Sequence, residues 1–195
     1  MKVSKIEFKK NIIDIARDIF AQFGLKKTTM EDIARLLDKG KSTLYYYFKN
    51  KEEIFKAVIE KEENILKERI RQAVEREPSP PKKLKAYVLT KMKYLRNLIN
   101  FYNALRDEYL KHYSFIQKIR KKYEEEEIRF VKTILKEGID KGSFQIKDLG
   151  LTSFAIVTAL KGLEYPLNTE ESKIIKAEEG IDTFLNILFY GIMKR

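Results

Sequence analysis

Residues 28–54 read TTMEDIARLLDKGKSTLYYYFKNKEEI, and this stretch decides the fold. It predicts a short helix, a turn, a second short helix over about residues 41–48, and the start of a longer helix. Cations and hydroxyl donors suit phosphates, and polar-tipped rings suit base edges. The second helix carries such groups together, which indicates a DNA groove reader rather than an enzyme: Lys41, Ser42, Thr43, Tyr45, Tyr46 and Tyr47.

Helix ends and faces can be assigned within the same stretch. Thr28 followed by Glu31 predicts a capping box at the start of the first short helix. Asn50 with Glu53 predicts another at the start of the longer helix. Leu44 lies four residues before Phe48, so both should face the core and leave the polar residues of the second helix pointing outward.

The charge of the chain favours an anionic partner. The 195 residues carry a formal net charge of +11. Residues 1–52 hold 12 Lys+Arg and 7 Asp+Glu, a balance of +5, whereas residues 53–195 hold 28 and 22, a balance of +6. The basic excess is therefore densest in the N-terminal part, where the predicted DNA reader lies.

The whole chain has a helical pattern, and the expected class is all-α. Glycine and proline are few (8 and 4). The only proline cluster in the sequence, Pro78–Pro81, is the best candidate for a domain boundary. Gly24 should end the first helix. We expect a three-helix helix-turn-helix domain over residues 1–50, a connecting helix over 51–77, and a ligand-sensing and dimerisation bundle over 78–195. The bundle helices are expected at about 81–99, 101–112, 114–141, 149–166 and 170–193.

The last two predicted helices are apolar nearly all round. Such helices need burial on more than one side, which is difficult at the end of a small monomer. Two helices from each of two subunits would provide it as a four-helix interface. The alternative is that they form the centre of the monomer core. The residues expected at a dimer interface are Ala155, Ala159, Gly162, Phe184 and Leu188.

Aromatic residues are frequent between positions 87 and 130. Most are core residues by their spacing, but together they suit the walls of a cavity for an apolar or aromatic ligand. Glu126 or Glu127 lies near the apolar stripe of its helix, either to receive a cationic ligand or simply at the solvent edge. The candidate lining residues are Tyr87, Tyr94, Phe101, Tyr102, Leu105, Tyr109, Tyr123, Phe130, Ile134 and Phe154.

The sequence argues against an enzyme and against a metal or cofactor site. There is no cysteine, and the single histidine, His112, has no nucleophile or metal-ligand cluster in its pattern. Phosphate-binding glycine motifs are absent, and the glutamates follow Glu/Lys helical patterns typical of solvated ion pairs. With neither a signal peptide nor a membrane-spanning run, we expect a cytoplasmic protein without a membrane partner.

A composite N-terminal pattern extends over about 50 residues. Its parts, in chain order, are Ile15-Ala16, Ile19-Phe20, Gly24, Thr28-Thr29, Ile33-Ala34, Leu44-Tyr45-Tyr46-Tyr47-Phe48 and Lys51-Glu52-Glu53-Ile54. With these spacings the chain resembles the TetR-like (tetracycline-repressor-like) family of bacterial transcriptional regulators. The C-terminal half, with LKEGIDKGSF, KDLG and an apolar helix ending in Gly162-Leu163, also looks like that family.

Four positions depart from the family pattern. The family usually has glycine in the turn, where this chain has Asp38, a residue that tolerates turn conformations. The pair Lys39-Gly40 replaces a small apolar residue and serine, so the second short helix relies on Gly40 as a weaker cap. Ser42 replaces a glycine that is common early in the recognition helix.

The resemblance implies that the recognition helix enters the major groove of a palindromic operator bound by a dimer. Lys41, Ser42, Thr43 and Tyr45 would then contact bases. The residues that would hold phosphates are Thr28, Thr29, Lys39, Tyr46, Tyr47 and Lys51.

The resemblance also implies repression, the family's usual mode, and control by a ligand that tilts the connecting helix. An alternative is a helical scaffold that binds polyanions, such as a protein or an anionic membrane, without sequence specificity. Loss of sequence selectivity on changing Tyr45 or Lys41 would distinguish the regulator from that scaffold.

Overall fold

All elements of the chain that the computed structural model describes are helical, which confirms the all-α class. The described residues are 5–95, 97–107, 109–164 and 177–192, so the predicted break at Pro166 and the start of the last helix at residue 170 lie outside them. A 3₁₀ turn over Leu110–His112 replaces the end of the helix predicted over 101–112. The α-helices are α1 (Lys5–Lys27), α2 (Met30–Leu36), α3 (Lys41–Tyr47), α4 (Lys51–Glu75), α5 (Pro80–Leu95), α6 (Ile99–Arg106), α7 (Ser114–Asp140), α8 (Leu149–Glu164) and α9 (Ala177–Ile192).

The chain divides into two compact units. The first contains Met1–Leu66 and Leu95–Gln117, and the second contains Lys67–Tyr94 and Lys118–Arg195. This division differs from the boundaries expected after residues 50 and 77, because α6 packs with the N-terminal helices although it lies far from them in the sequence. Both α4 and α7 contribute residues to each unit.

A buried carboxylate links three helices of the first unit. Glu62 of α4 is 1% exposed, and it accepts hydrogen bonds from Arg17 Nε of α1 at 2.8 Å and from Asn100 Nδ2 of α6 at 3.0 Å. It also accepts the backbone N–H of Phe101 at 2.8 Å. The Glu/Lys pattern of α4 had indicated solvated ion pairs, and Glu62 is an exception because long-range packing of α6 covers it.

The core of the first unit explains the geometry of the two short helices. Phe20 of α1 meets Phe55 of α4 edge-on, with ring centroids 5.0 Å apart. Ile33 of α2 and Leu44 of α3 are fully buried beside this core. The regular first helix is interrupted at Gly24, as the sequence had predicted, because the backbone of Gly24 is not helical. Gly24 has φ 73° and ψ 168°, and after this kink a short helical segment follows as far as Lys27.

The cap of α2 lies one residue later than expected. Thr29 is the N-cap, and its hydroxyl accepts the N–H of Asp32 while the Asp32 carboxylate accepts the N–H of Thr29. The predicted pair of Thr28 and Glu31 does not form. Both threonines have an acidic residue three positions ahead, so spacing alone could not decide between them.

The turn between α2 and α3 is made as the sequence suggested. Asp38 adopts a positive φ of 52°, the conformation that glycine adopts most readily. Gly40 is the N-cap of α3 and provides no side-chain hydrogen bond. At the start of α4, Asn50 Oδ1 accepts the N–H of Glu53 at 2.9 Å, whereas the Glu53 carboxylate accepts the N–H of Lys49.

In the second unit, the described side chains of α8 and α9 include both buried and exposed apolar residues. Ile156, Val157 and Leu160 of α8 and Leu185 of α9 are in the core. Other apolar side chains of both helices remain exposed in the single chain.

Candidate functional site

The outer face of α3 presents polar and aromatic side chains to solvent. Leu44 and Phe48 are buried and fasten the helix to the first unit. Thr43 and Tyr47 are half-buried, and Lys39 in the preceding turn is exposed. We call the following exposed residues the α3 outer face: Lys41, Ser42, Tyr45 and Tyr46.

Lys41 forms an ion pair with Glu31 of α2 on this surface. The hydrogen bond raises the pKa of Lys41 and lowers that of Glu31. Both side chains are about half exposed, so the pair contributes little stability and can be exchanged. The ammonium is therefore available to a phosphate or to a guanine edge.

Lysines of α1 extend the positive surface to the side of α3. Lys5 Nζ donates to the hydroxyl of Tyr46 at 3.1 Å, and Tyr46 is 67% exposed. The ring of Tyr47 packs on Phe8 with centroids 5.2 Å apart, so Tyr47 serves packing while its edge stays half exposed. Thr29, the exposed cap of α2, uses its hydroxyl to bind the Asp32 carboxylate.

Thr28 does not occupy a position suited to a phosphate contact. Its side chain is 1% exposed, and its hydroxyl donates to the carbonyl oxygen of Gly24 at 2.8 Å. The threonine pair thus has one buried member that closes the bend in α1 and one exposed member that caps α2. The sequence analysis had assigned both to phosphates, because neighbouring threonines give no signal of which is buried.

Lys51 has an internal role rather than the expected phosphate contact. Its ammonium donates to the carbonyl oxygens of Leu25 at 2.8 Å, Lys26 at 3.2 Å and Thr28 at 2.9 Å. These three acceptors occupy the donors of the ammonium and tie the end of α1 to the first residue of α4. The sequence contains no local sign of this long-range bracket.

A cavity in the second unit has a volume of about 280 Å³. It lies among α4, α5 and α7, and we call it the α4–α5–α7 cavity. Three of the predicted ligand residues line it: Tyr87, Tyr123 and Phe130. The remaining lining residues are Lys67, Ile70, Arg71, Glu126 and Glu127.

The other predicted ligand residues do not line this cavity. Ile134 is buried and Tyr94 is half-buried elsewhere in the second unit, whereas Phe154 is 47% exposed on α8. The sequence spacing could not show which helices share a unit. Those that belong to the first unit are Phe101, Tyr102, Leu105 and Tyr109.

Two of the lining residues, Tyr87 and Glu127, belong to a buried polar cluster that also contains Lys91. Glu127 Oε1 accepts hydrogen bonds from the hydroxyl of Tyr87 and from Lys91 Nζ, and all three residues are buried. Burial raises the pKa of Tyr87 well above its usual value of 10.0, although the neighbouring Lys91 opposes the rise. Glu127 is therefore the inward member of the pair left open by the sequence, while Glu126 binds Lys67 at the edge.

The expected dimer residues lie on the outer sides of α8 and α9. Ala155, Ala159 and Gly162 are exposed, and Phe184 and Leu188 are half-buried. Larger apolar side chains of the same two helices are also exposed, namely Leu151 (64%), Ile187 (70%) and Tyr190 (81%). Among the residues that the structure describes, nothing thus covers this apolar surface on the two helices.

Comparison with known proteins identifies the class. Residues 12–58 match the family described as "Bacterial regulatory proteins, tetR family". Residues 81–192, more than half of the chain, match "QacR-like protein, C-terminal region". The chain belongs to the TetR family. The resemblance found in its first 54 residues is thereby confirmed, and the match extends through the C-terminal half.

Similar TetR-family proteins cover nearly the whole chain. An uncharacterized HTH-type transcriptional regulator, YhgD of Bacillus subtilis (strain 168), is 30% identical over 155 residues, which are 78% of this chain and 80% of YhgD. The regulator QacR of Staphylococcus aureus (strain Mu50) is 28% identical, covering 97% of this chain and all of QacR. A transcriptional regulator from Cytophaga hutchinsonii has a similar crystal structure, with TM-score 0.80, 27% identity and coverage of 95% and 98% of the two chains.

Membership of the TetR family establishes a DNA-binding transcriptional regulator and not an enzyme. Within the described residues, no three histidine, cysteine or carboxylate side chains come together as a metal site. No helix in the described part of the chain has the length and apolar character needed to cross a bilayer.

The residue that sequence reasoning missed in this TetR-family chain is Lys91. It has the spacing of a helix partner for Tyr87, four residues earlier, but α5 has several lysines and a lysine is ordinarily a solvated residue. Its partner Glu127 lies 36 positions away and on another helix. Such a buried pair becomes visible only when α5 and α7 are packed together.

Proposed function

We propose that this TetR-family protein is a dimeric repressor that binds a palindromic operator and is released by a small apolar or aromatic ligand. The α3 outer face is the observation that supports the proposal most directly. It exposes a cation, a hydroxyl and two phenol rings on a helix whose opposite side is anchored in the core. Side chains of this kind suit base edges and phosphates of the major groove.

A dimer is supported by the uncovered apolar sides of α8 and α9. One short helix contacts too few base pairs for useful specificity, and a twofold dimer doubles those contacts on a palindromic site. The small residues Ala155, Ala159 and Gly162 allow close approach of a second α8, and Leu151 and Ile187 supply apolar area around them. Repression follows the usual mode of the family.

Release by a ligand is supported by the path of α4. This helix begins at Lys51, directly after the segment that carries α3, and its later residues Lys67, Ile70 and Arg71 line the α4–α5–α7 cavity. A ligand that prefers one position of α4 would shift the equilibrium between DNA-binding and released forms. A coupling of about 1–3 kcal/mol is typical. The protein would act in the cytoplasm, where bacterial operators are found.

The alternative function is binding of polyanions without sequence specificity. Its support is the net charge of +11 and the lysines beside α3. Both functions produce salt-sensitive binding to DNA. They differ in whether one sequence is preferred over others.

Selection of bound sequences from random duplex DNA tests the proposal. The purified full-length protein is used at about physiological salt, because the salt concentration determines how much non-specific binding is seen. The proposal expects an enriched palindrome with two half-sites. Bulk binding with no enriched sequence, with and without added aromatic ligands, would instead support the polyanion-binding function.

A further inference from the structure

Two lysines at the start of α1 lie against the end of α3. Lys5 and Lys9 are four residues apart, so their side chains leave the same side of α1. The Lys5 ammonium lies 4.5 Å from the ring centroid of Tyr46, and the Lys9 ammonium lies 5.1 Å from that of Phe48. The first turns of α1 therefore carry positive charge alongside the last residues of α3.

The contact between these two helices also rests on apolar packing. Phe8 packs on Tyr47 with ring centroids 5.2 Å apart, and Tyr47 in turn meets the ring of Tyr46 edge-on at 5.0 Å. Ile12, one turn further along α1, is fully buried. The start of α1 is thus held beside Tyr46 by contacts that do not involve the side chain of Lys5.

The hydrogen bond between Lys5 and Tyr46 leaves donors free on both groups. Lys5 Nζ donates to the Tyr46 oxygen at 3.1 Å, which uses one of the three N–H groups of the ammonium. A phenol that accepts this bond keeps its own O–H as a donor. Both side chains are exposed, so the Lys5–Tyr46 pair presents an ammonium and a hydroxyl to solvent side by side.

Lys5 differs from Lys41 in the charge of its surroundings. Lys41 is paired with Glu31. The pKa of Lys5 is raised above its usual 10.5 mainly by the hydrogen bond to Tyr46, and none of the described carboxylates forms an ion pair with Lys5. The positive charge of Lys5 is therefore available to an anion without the loss of an existing ion pair.

We propose that Lys5 and Tyr46 together bind one phosphate of the DNA backbone beside each half-site of the operator. This inference rests on the proposed function, because it adds a contact from α1 to the same DNA-binding surface. Residues at the N-terminal end of a recognition helix reach base edges. Tyr46 is the sixth of the seven residues of α3, so a backbone contact suits it better than a base contact.

Lys5 has two roles in this contact. Its remaining N–H groups bind the phosphate directly, as lysines commonly do at a DNA backbone. Its bond to the Tyr46 oxygen also means that the hydroxyl proton points away from Lys5, where the same phosphate can accept it. The Lys5–Tyr46 pair thus provides two donors for one phosphodiester group.

Fluorescence anisotropy with the selected operator tests the role of Lys5 in the full-length protein. Lys5→Ala should weaken binding by about tenfold at physiological salt, because a charge-assisted hydrogen bond to a phosphate is lost. The slope of the logarithm of the binding constant against the logarithm of the salt concentration should be smaller by about one. Circular dichroism should be unchanged, since the side chain is exposed.

Lys10→Ala is the matched control on the same helix. Lys10 is exposed and lies near Lys61 of α4, whose pKa is lowered by burial and then by the charge of Lys10. Its replacement removes the same charge from another side of α1. It should change the affinity by less than about twofold, because salt screens a charge that makes no direct contact.

A double-variant cycle tests whether the two groups act as a unit. Tyr46→Phe removes the hydroxyl and keeps the ring that meets Tyr47. It should weaken binding by about fivefold, and the double variant Lys5→Ala/Tyr46→Phe should lose about tenfold to twentyfold, short of the roughly fiftyfold loss of independent contacts. Losses that multiply in full would show that the two side chains do not share a phosphate.

Neutral phosphate analogues locate the contact on the DNA. A methylphosphonate replaces one phosphate of the selected operator at a time and removes its negative charge. The unchanged protein should lose affinity at one position beside each half-site, and both Lys5→Ala and Tyr46→Phe should be much less sensitive to that same replacement. Sensitivity lost at different positions in the two variants would overturn the inference.

Two further results would also overturn it. If Lys5→Ala behaved like Lys10→Ala, Lys5 would only add to the general positive charge. A changed sequence preference with an unchanged salt slope would make Lys5 a base contact. If the selection enriched no sequence, the proposed function would fail, whereas the salt slope of Lys5→Ala on random duplex would still decide whether Lys5 contacts a phosphate, so the two failures are distinguishable.

Discussion

The ammonium of Lys51, at the first position of α4, donates a 2.9 Å hydrogen bond to the carbonyl oxygen of Thr28, the second residue before α2. Two further carbonyls of the same segment, those of Leu25 and Lys26, accept from the same nitrogen. The chain from the end of α1 to the start of α4 is thus closed by one side chain, and α2 and α3 lie within the closure.

We therefore expect Lys51→Ala to lower stability rather than to weaken DNA binding of the folded protein. Loss of charge-assisted hydrogen bonds at a half-buried site should reduce the free energy of unfolding by about 2–3 kcal/mol. Lys49→Ala, which removes an exposed lysine two residues earlier, should change it by less than about 0.5 kcal/mol. Urea denaturation measures both. The opposite result would be a Lys51→Ala variant of normal stability in which the slope of the logarithm of the DNA-binding constant against the logarithm of the salt concentration is smaller by about one. That result would show that Lys51 contacts a phosphate.

Glu62→Gln should destabilise the first unit by about 3 kcal/mol. In glutamine an NH2 group, which cannot accept a hydrogen bond, replaces one carboxylate oxygen. This group would face at least one of the donors Arg17, Asn100 and the N–H of Phe101, because all three donate to Glu62. Glu68→Gln provides a matched control on the same helix, since Glu68 pairs with Arg71 on the exposed surface and such pairs contribute little. Thermal unfolding followed by circular dichroism compares the two. Equal midpoints would contradict the bracing role of Glu62.

Lys41→Ala should reduce affinity for the selected operator by about tenfold and affinity for scrambled duplex by less, because a bidentate base contact discriminates between sequences. Glu31→Gln should instead raise the affinity for all DNA, since it releases Lys41 from its ion pair and removes a negative charge beside α3. Lys136→Ala, an exposed lysine of α7, is the control for loss of one positive charge. Fluorescence anisotropy at fixed salt measures each variant. An equal loss on both duplexes would make Lys41 a phosphate contact.

The hydroxyl of Tyr87 should make stability fall in alkaline solution. Its folded-state pKa is raised by burial, well above the ordinary 10.0. The folded state therefore holds a proton that the unfolded state releases, so the contribution is complete below about pH 10 and is lost as the pH rises toward the folded pKa. Urea denaturation at about pH 8 and pH 10.5 should show a smaller alkaline loss for Tyr87→Phe than for the unchanged protein. An identical loss would mean that Tyr87 ionises as easily in the fold as outside it.

Ala159→Glu should separate the proposed dimer without unfolding the chain. Ala159 is exposed on α8 in the single chain, so a carboxylate there meets solvent in the monomer and an apolar partner surface in the dimer. We expect analytical ultracentrifugation to give a monomer with unchanged circular dichroism and weaker operator binding. Thr133→Glu, at an exposed site of α7, should remain dimeric. Dimeric Ala159→Glu would exclude α8 from the interface.

Helix positions and the α3 outer face were predictable because they depend on local periodicity. Leu44 and Phe48 are buried as their spacing indicated, and the turn at Asp38 has the conformation expected from its place in the family pattern. The choice between Thr28 and Thr29 was not predictable, because both have an acidic residue at the required distance.

Contacts between residues far apart in the chain could not be predicted from the sequence. Glu62 and Glu127 lie in runs of charged residues that ordinarily face solvent, and Lys91 is one of several lysines on its helix. The burial of all three depends on helices far along the chain. The same limit affected the ligand residues. Phe101 and Tyr87 have similar aromatic patterns, but they belong to different units.

The closure made by Lys51 has a consequence for hydrogen exchange. Because one ammonium holds the end of α1 to the start of α4, opening this bracket frees both ends of the segment that contains α2 and α3 at once. The amides of Ile33 and Leu44 should then exchange with solvent deuterium in a single cooperative event, at a common rate that is set by the bracket and not by either short helix alone.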